Sequence, residues 1–304
     1  MSGVKREPMN LTIVMPARNE AASLDNLLPE ILRHQPTAEI LVVNDGSTDS
    51  TADICQKHGI AVITHPYSMG NGAAIKSGAR AARGDITVFM DADGQHRPED
   101  IARLLQKLEE GYEMVVGARK NSSQASFSKG IANRFYNKLA SAMTGHNIQD
   151  LTSGFRAVRT RHFRKFLYLL PNGFSYPTTS TMAFFRSGLP VAYIPIKAEQ
   201  RDGKSNIRLV RDGIRFLVII IKIGALFSPM RLFLPTGAFI FLLGLAYYAY
   251  TFLTEHRLTN MSALLFITSV FVFLIGIISE QISALHYKAA DEDFRRTEHP
   301  PKQN

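Results

Sequence analysis

Two stretches near the C-terminus, Leu232–Leu253 and Ser262–Ser279, contain no charged residue, and nothing else in the chain limits its folding as much. A helix needs about 20 apolar residues to cross a bilayer core, so the first run is long enough by itself. The second reaches that length by continuing past Glu280 to about Leu285, with the carboxylate near the interface. The connecting Thr254–Asn260 leaves room only for a tight helical hairpin. Tyr247, Tyr248, Tyr250 and Tyr287 supply the amphipathic rings favoured at interfaces. Arg208, Arg211, Arg215, Lys222 and Arg231 precede the hairpin and Lys288, Arg295 and Arg296 follow it, whereas the connection holds only Arg257. Positive flanks stay inside, so the preceding domain and both termini are expected to be cytoplasmic.

The segment Ile207–Lys222 has a different pattern. Arg208, Arg211, Asp212, Arg215 and Lys222 fall within a helical stripe roughly 100° wide, and nearly all other positions are apolar. That is the pattern of a helix lying in the plane of a membrane surface. The expected organisation is a globular domain over 1–206, an interfacial segment over 207–230, a transmembrane hairpin over 231–288 (spans about 232–253 and 262–285) and a tail over 289–304. The net charge of +9 calls for an anionic partner. The cations form no dense run and no aromatic-interleaved patch, so a nucleic acid is not expected. The lone Cys55 excludes an intrachain disulfide and suits a reducing compartment. The N-terminal MSGVKREPMN lacks the apolar stretch of a signal peptide.

The globular region alternates short apolar runs with amphipathic ones, which predicts βα units around a mainly parallel, Rossmann-like sheet. Leu11–Met15, Ile40–Val43, Ala61–Thr64, Ile86–Met90, Met114–Val116 and Val191–Ile196 read as strands. Leu24, Leu27, Leu28, Ile31 and Leu32 form the apolar stripe of the first helix. Ser47–Ser50 offer cap chemistry for the next, and Pro98 opens another with Glu99 and Asp100 in its first turn. Between Ser126 and Val191 the pattern predicts a helix, a glycine-containing strand and a further helix.

Four polar motifs follow strands, where ligands bind in open α/β sheets. They are Met15–Glu20 (MPARNE), Val43–Asp49 (VNDGSTD), Asp91–His96 (DADGQH) and Val116–Arg119 (VGAR). Asp91 and Asp93 on one tight loop, with Gln95 adjacent, provide hard oxygen ligands for Mg2+ or Mn2+ and leave positions open for pyrophosphate. Such an ion would neutralise charge on a departing nucleoside diphosphate. Asp45 can accept from a base N–H and Glu20 from ribose hydroxyls. Gly70-Asn71-Gly72 would let backbone approach a ligand. Cys55, beside Ile54 on a helix, reads as core.

PARNE, VNDGSTDST, GNGAAIKSG, DADGQH and VVGAR, in this order, resemble the GT-A catalytic domain of family 2 glycosyltransferases across about the first 200 residues. Asp150–Arg156 (DLTSGFR) and Arg201–Ser205 (RDGKS), with the two-helix tail, are similar to the polyprenyl-phosphate branch that includes dolichyl-phosphate mannose synthases. The resemblance implies an inverting transfer from a UDP- or GDP-linked sugar to a polyprenyl phosphate. It implies nucleotide contacts at Pro16, Ala17, Arg18, Glu20, Asp45 and Asp91, and metal and diphosphate contacts at Asp91, Asp93 and Gln95. Phosphate contacts would come from Arg119, Arg134, Arg201, Lys204 and Ser205, with Asp93, Arg119 and Asp150 as the catalytic candidates. A homo-oligomer is compatible with this organisation.

One departure bears on the acceptor. Many family 2 enzymes that glycosylate hydroxyls carry a catalytic carboxylate in the stretch matching Phe174–Thr181, and none is present here. A hydroxyl nucleophile needs a base, whereas a phosphate monoester, with a second pKa of about 6, is already mostly dianionic at neutral pH. The rival readings are a hydroxyl acceptor in glycolipid or polysaccharide synthesis, for which Asp150 is the remaining candidate base, and an inactive partner subunit. Asp150 could equally orient a neighbouring arginine.

Overall fold

The structure, a computed structural model, describes residues 10–119, 127–173, 175–197, 218, 221, 224–225 and 228–298. They fall into two compact units, each described by itself. The interfacial segment expected over 207–230 lies largely outside the described residues, as do Arg201, Lys204 and Ser205.

In the first unit, Leu11–Ala17 forms β1, with Ile13, Val14 and Met15 fully buried as in a strand covered on both faces. It pairs in parallel with Glu39–Asn44 (β2) and with Ile86–Phe89 (β4), and β2 pairs in parallel with Ala61–Thr64 (β3). Arg156–Arg159 (β6) runs antiparallel between β4 and Met114–Arg119 (β5), and Val191–Ile196 (β7) pairs in parallel with β5. The seven-stranded order is β3-β2-β1-β4-β6-β5-β7. The expected α/β, mainly parallel architecture is therefore present, with β6 as the antiparallel insertion. Gly154 lies just outside that strand rather than within it.

The strand β1 runs on to Ala17, beyond the expected Met15, so Pro16 lies inside the sheet. Val14 accepts from the N–H of Met90, and Pro16, two residues on, faces the same side. Pairing with β4 has ended by then, so the missing N–H of proline costs no ladder bond.

The helices of this unit are Ala21–His34 (α1), Thr51–Lys57 (α2), Asn71–Ala81 (α3), Asp100–Glu109 (α4), Phe127–Thr144 (α5, whose last turn groups with the second unit), Thr160–Arg164 (α6) and Tyr176–Arg186 (α7). In α1, Leu24, Leu27, Leu28 and Ile31 are buried, but Leu32 is 36% exposed and sits at the edge of the stripe. The first turn of α2 is held by the Asp49 carboxylate, which accepts the Thr51 N–H at 3.0 Å, while Ser50 makes no side-chain cap bond. Helix α4 begins at Asp100, two residues after Pro98, and buries Ile101, Leu104 and Leu108.

The second unit contains Pro229–Glu255 (α8) and Asn260–Glu298 (α9), both long and apolar enough to cross a membrane. His256, with φ of 51°, ends α8 in the left-handed conformation and turns the chain back. The Glu280 carboxylate accepts the N–H of Met230 at 3.4 Å, which places an acidic group at the positive end of α8. Arg231 donates to the carbonyls of Ala142 and Met143 at 3.0 and 2.9 Å, at the carbonyl end of α5.

Candidate active site

The loops after β1 and β2 are knitted together at the carboxyl edge of the sheet. Asn19, at a positive φ of 56°, accepts the Thr48 N–H at 2.8 Å, and its own N–H donates to the Ser47 hydroxyl at 2.9 Å. The Glu20 N–H donates to Thr51 Oγ1 at 3.1 Å, and Ser23 donates to the Glu20 carboxylate at 3.3 Å. Asn44 accepts the Ser47 N–H at 3.0 Å. The MPARNE and VNDGSTD motifs thus form one lip, with Arg18 exposed on it and Ala17 buried beneath. The linking roles of Asn19 and of Asp49, which accepts the Ala21 N–H at 3.2 Å, escaped sequence reasoning because each is an ordinary turn residue.

Asp45 is 4% exposed, and its carboxylate already meets four groups of this chain. Oδ1 contacts His65 Nδ1 at 2.8 Å and accepts the Met69 N–H at 2.8 Å; Oδ2 accepts from the Ser68 hydroxyl and the Gly70 N–H, each at 2.9 Å. Burial pushes this carboxyl up, but the His65 ring, the two N–H groups and the Ser68 hydroxyl outweigh it and hold it below the usual carboxylate range. The expected reach to a nucleotide base therefore has no unoccupied lone-pair direction in this arrangement. What Asp45 visibly does is fix the loop that leads into α3. Beyond that loop, a Cβ on Gly72 would stand 2.0 Å from the Pro171 carbonyl oxygen, so only glycine lets the segment before α7 lie against it.

The acidic loop after β4 turns at Gly94, φ 73°, and Asp93 accepts the Gln95 N–H at 3.2 Å. His96 is buried, stacks on Phe155 at 4.9 Å and brings Nε2 to 3.6 Å from Asp91 Oδ2. A Cβ on Gly154 would stand 2.8 Å from Asp91 Oδ2 and 3.2 Å from Tyr176 Oη, so the Asp91 carboxylate packs against the glycine of the TSGFR segment. Burial pushes Asp91 up; His96 beside it, then the charges of Arg119 and Arg156, prevail and keep it ionised.

Arg119, at the end of β5, grips Asp150 with a two-pronged contact, Nε to Oδ2 at 2.8 Å and Nη2 to Oδ1 at 3.0 Å, and donates to Thr152 Oγ1 at 2.7 Å. Asp150 also accepts the N–H groups of Thr152 and Ser153, each at 3.1 Å. Burial raises the Asp150 carboxyl, but Arg119 and these N–H groups hold it below the ordinary value. A carboxylate so engaged and so acidic is a poor general base; its evident part is to orient Arg119.

The structure brings Asp91, Arg119 and Asp150 into one electrostatic group, with Asp93 and Gln95 on the same loop as Asp91. Asp45 belongs to a separate cluster around His65. Arg134 lies exposed on α5. Sequence reasoning named the segments that hold Arg156 and Tyr176 but gave neither residue a role; Arg156 is fully buried on β6 and Tyr176 is 1% exposed at the start of α7. The available signal was a charged residue inside the otherwise apolar Phe155–Val158. Among the described residues no three His, Cys, Asp or Glu side chains converge on one point.

Residues 12–167 match the family described as glycosyl transferase family 2, and residues 228–285 match the GtrB C-terminal hairpin. The chain is 30% identical over 252 residues to the undecaprenyl-phosphate 4-deoxy-4-formamido-L-arabinose transferase of Klebsiella pneumoniae (strain 342), covering 78% of this chain and 74% of that one. It is 25% identical over 295 residues to glycosyltransferase AglJ of Haloferax volcanii, covering 92% and 95% respectively. Glucosyl-3-phosphoglycerate synthase from Mycobacterium tuberculosis, crystallised with Mn2+, UDP and phosphoglyceric acid, shares the fold with a TM-score of 0.59 at 21% identity, over 71% of this chain and 78% of that one. With more than half of its length matched by the family and a 30% identical transferase matched over 74% of that relative's length, the chain belongs to glycosyl transferase family 2.

Proposed function

We propose that this glycosyltransferase moves a sugar from a nucleoside diphosphate onto a polyprenyl phosphate, with inversion, at the cytoplasmic face of a membrane. The observation that carries this reading is the state of the acidic groups on the acceptor side. Helix α7 has no carboxylate from Tyr176 to Arg186, and Asp150 is chelated by Arg119. An acceptor that must lose a proton would find no base there, whereas a phosphate dianion needs none. The hairpin of α8 and α9 supports a lipid-borne acceptor, and the cations flanking it support a cytoplasmic site.

Asp91 and Asp93, with Gln95, offer only hard oxygen donors, one carboxylate half-exposed and kept ionised, which suits Mg2+ or Mn2+. Bound there, the ion would stabilise negative charge on the leaving diphosphate. The chain itself supplies position and charge. Arg119, fixed by Asp150, presents a cation beside Asp91 for a phosphate group. Pro16, Ala17, Arg18 and Glu20 form the lip for the nucleoside, and Asp45 shapes that side by holding the loop before α3. Arg134, Arg201, Lys204 and Ser205 are assigned to the phosphates of acceptor and donor.

The test uses purified protein in detergent with undecaprenyl phosphate and Mg2+ or Mn2+. Labelled UDP-glucose, UDP-galactose, UDP-N-acetylglucosamine and GDP-mannose are offered in turn, and label in the organic phase is counted. Metal-dependent lipid-linked label from one donor, lost in Asp93→Ala, is expected. Nucleotide binding without lipid-linked label from any donor would overturn the reading.

A further inference from the structure

Arg156 lies fully buried beneath the first turn of α7. Nη1 donates to the Pro177 carbonyl at 3.0 Å, to Ser180 Oγ at 2.7 Å and to Thr181 Oγ1 at 3.2 Å, and Nη2 donates to the Ser153 carbonyl. The guanidinium stands 5.8 Å from the centroid of the Tyr176 ring. Among the described residues every bond it makes is to a neutral acceptor, and Nε has no hydrogen-bond partner. An unpaired charge in the interior is expensive, and an apolar side chain of similar volume would fill the same space without that cost. Packing alone does not account for a guanidinium here.

Its surroundings indicate where the charge acts. Arg156, Val116 and Tyr193 are aligned across β6, β5 and β7 and project from one face of the sheet. Tyr176 donates to the Gly154 carbonyl at 3.2 Å, and Gly154 is the residue against which Asp91 packs. The guanidinium therefore underlies both the acceptor-side helix and the acidic loop, within electrostatic reach of Asp91 and Asp150.

We propose that Arg156 is a positioning residue whose buried charge makes the acceptor subsite selective for an anionic group, a phosphate in place of a neutral hydroxyl. The inference rests on the lipid-phosphate reading above and adds the residue that enforces it. In a dry interior a fixed charge acts at longer range than at the surface, so Arg156 need not touch the acceptor.

Two variants separate charge from hydrogen bonding. Arg156→Gln keeps donors for Pro177 and the hydroxyls but removes the charge; Arg156→Lys keeps the charge and loses the fork. Rates are measured against undecaprenyl phosphate with the donor that labels lipid in the wild type, alongside nucleoside diphosphate affinity and circular-dichroism melts. The charge role predicts that Arg156→Gln raises the acceptor KM about tenfold while nucleotide affinity changes less than about twofold, and that Arg156→Lys restores most of the loss. Equal acceptor KM in wild type and Arg156→Gln, or a larger KM in Arg156→Lys than in Arg156→Gln at similar melting points, overturns the inference and leaves the functional reading standing. Should Arg156→Gln not fold, an acceptor KM for Arg156→Lys within about twofold of wild type supports the charge role, and a larger rise overturns it. A wild type that forms no lipid-linked sugar removes the reading and this inference together.

Discussion

Asp150 holds Arg119 at three points, through Nε at 2.8 Å, Nη2 at 3.0 Å and the backbone N–H at 3.2 Å. The pair has a consequence for pH as well as for rate. The Asp150 carboxyl is more acidic in the folded chain than its ordinary value of 3.8, so the unfolded state binds more protons in acid. Stability from this pair is complete above about pH 4 and is lost as pH falls through the lower folded value. Asp150→Asn is expected to cost about 2 kcal/mol at neutral pH and to flatten the acid limb of a denaturation series. It should lower kcat/KM by about tenfold or more without removing an ionisation from the pH–rate profile. Disappearance of the acid limb from that profile would instead identify Asp150 as a proton acceptor.

Asp45 offers a comparable test on the nucleotide side. Its four internal contacts mean that Asp45→Asn should lower the melting temperature of the ligand-free protein as well as weaken nucleotide binding. A carboxylate reserved for a base would leave the ligand-free melt unchanged.

Gly72→Ala should be among the most damaging single-methyl additions in the globular unit. The new Cβ would meet the Pro171 carbonyl oxygen at 2.0 Å and that of Gly173 at 2.7 Å, and backbone atoms yield little. A loss of about 1–3 kcal/mol is expected from such overpacking. Gly173→Ala, where no described atom beyond the chain neighbours lies within 4 Å, is the control and should be near neutral by thermal melt.

Membrane topology can be read by thiol labelling with little background. Cys55 is fully buried, and burial pushes its thiol up to about 11, so it should react poorly. Arg257→Cys, between α8 and α9, should label from outside intact cells with a membrane-impermeant maleimide, while Lys288→Cys should not. The reverse pattern would place the active site on the wrong side for a cytoplasmic donor.

Much of this was legible in the sequence because it rests on periodicity and strand-end motifs. The buried runs of β1, β2 and β5 and the stripe of α1 follow from the alternation of apolar residues. The acidic loop and Arg119 were visible because turn chemistry and charge coincide at strand ends. The partnership of Arg119 with Asp150 spans the described helix α5 and could only be left open as one alternative. Arg156 was harder still, since a lone arginine in a short strand gives no sign of which face it takes. The filling of Asp45 by His65 and the Ser68–Gly70 backbone depends on loop conformation, which no local pattern specifies.

The central claim is that the acceptor arrives already ionised. Undecaprenyl phosphate and undecaprenol, offered separately at equal concentration with the same donor and metal, test it most directly. Lipid-linked sugar from the phosphate and none above background from the alcohol is the result this account predicts. Comparable transfer to undecaprenol would contradict it, because a base that α7 and Asp150 do not supply would then have to be at work.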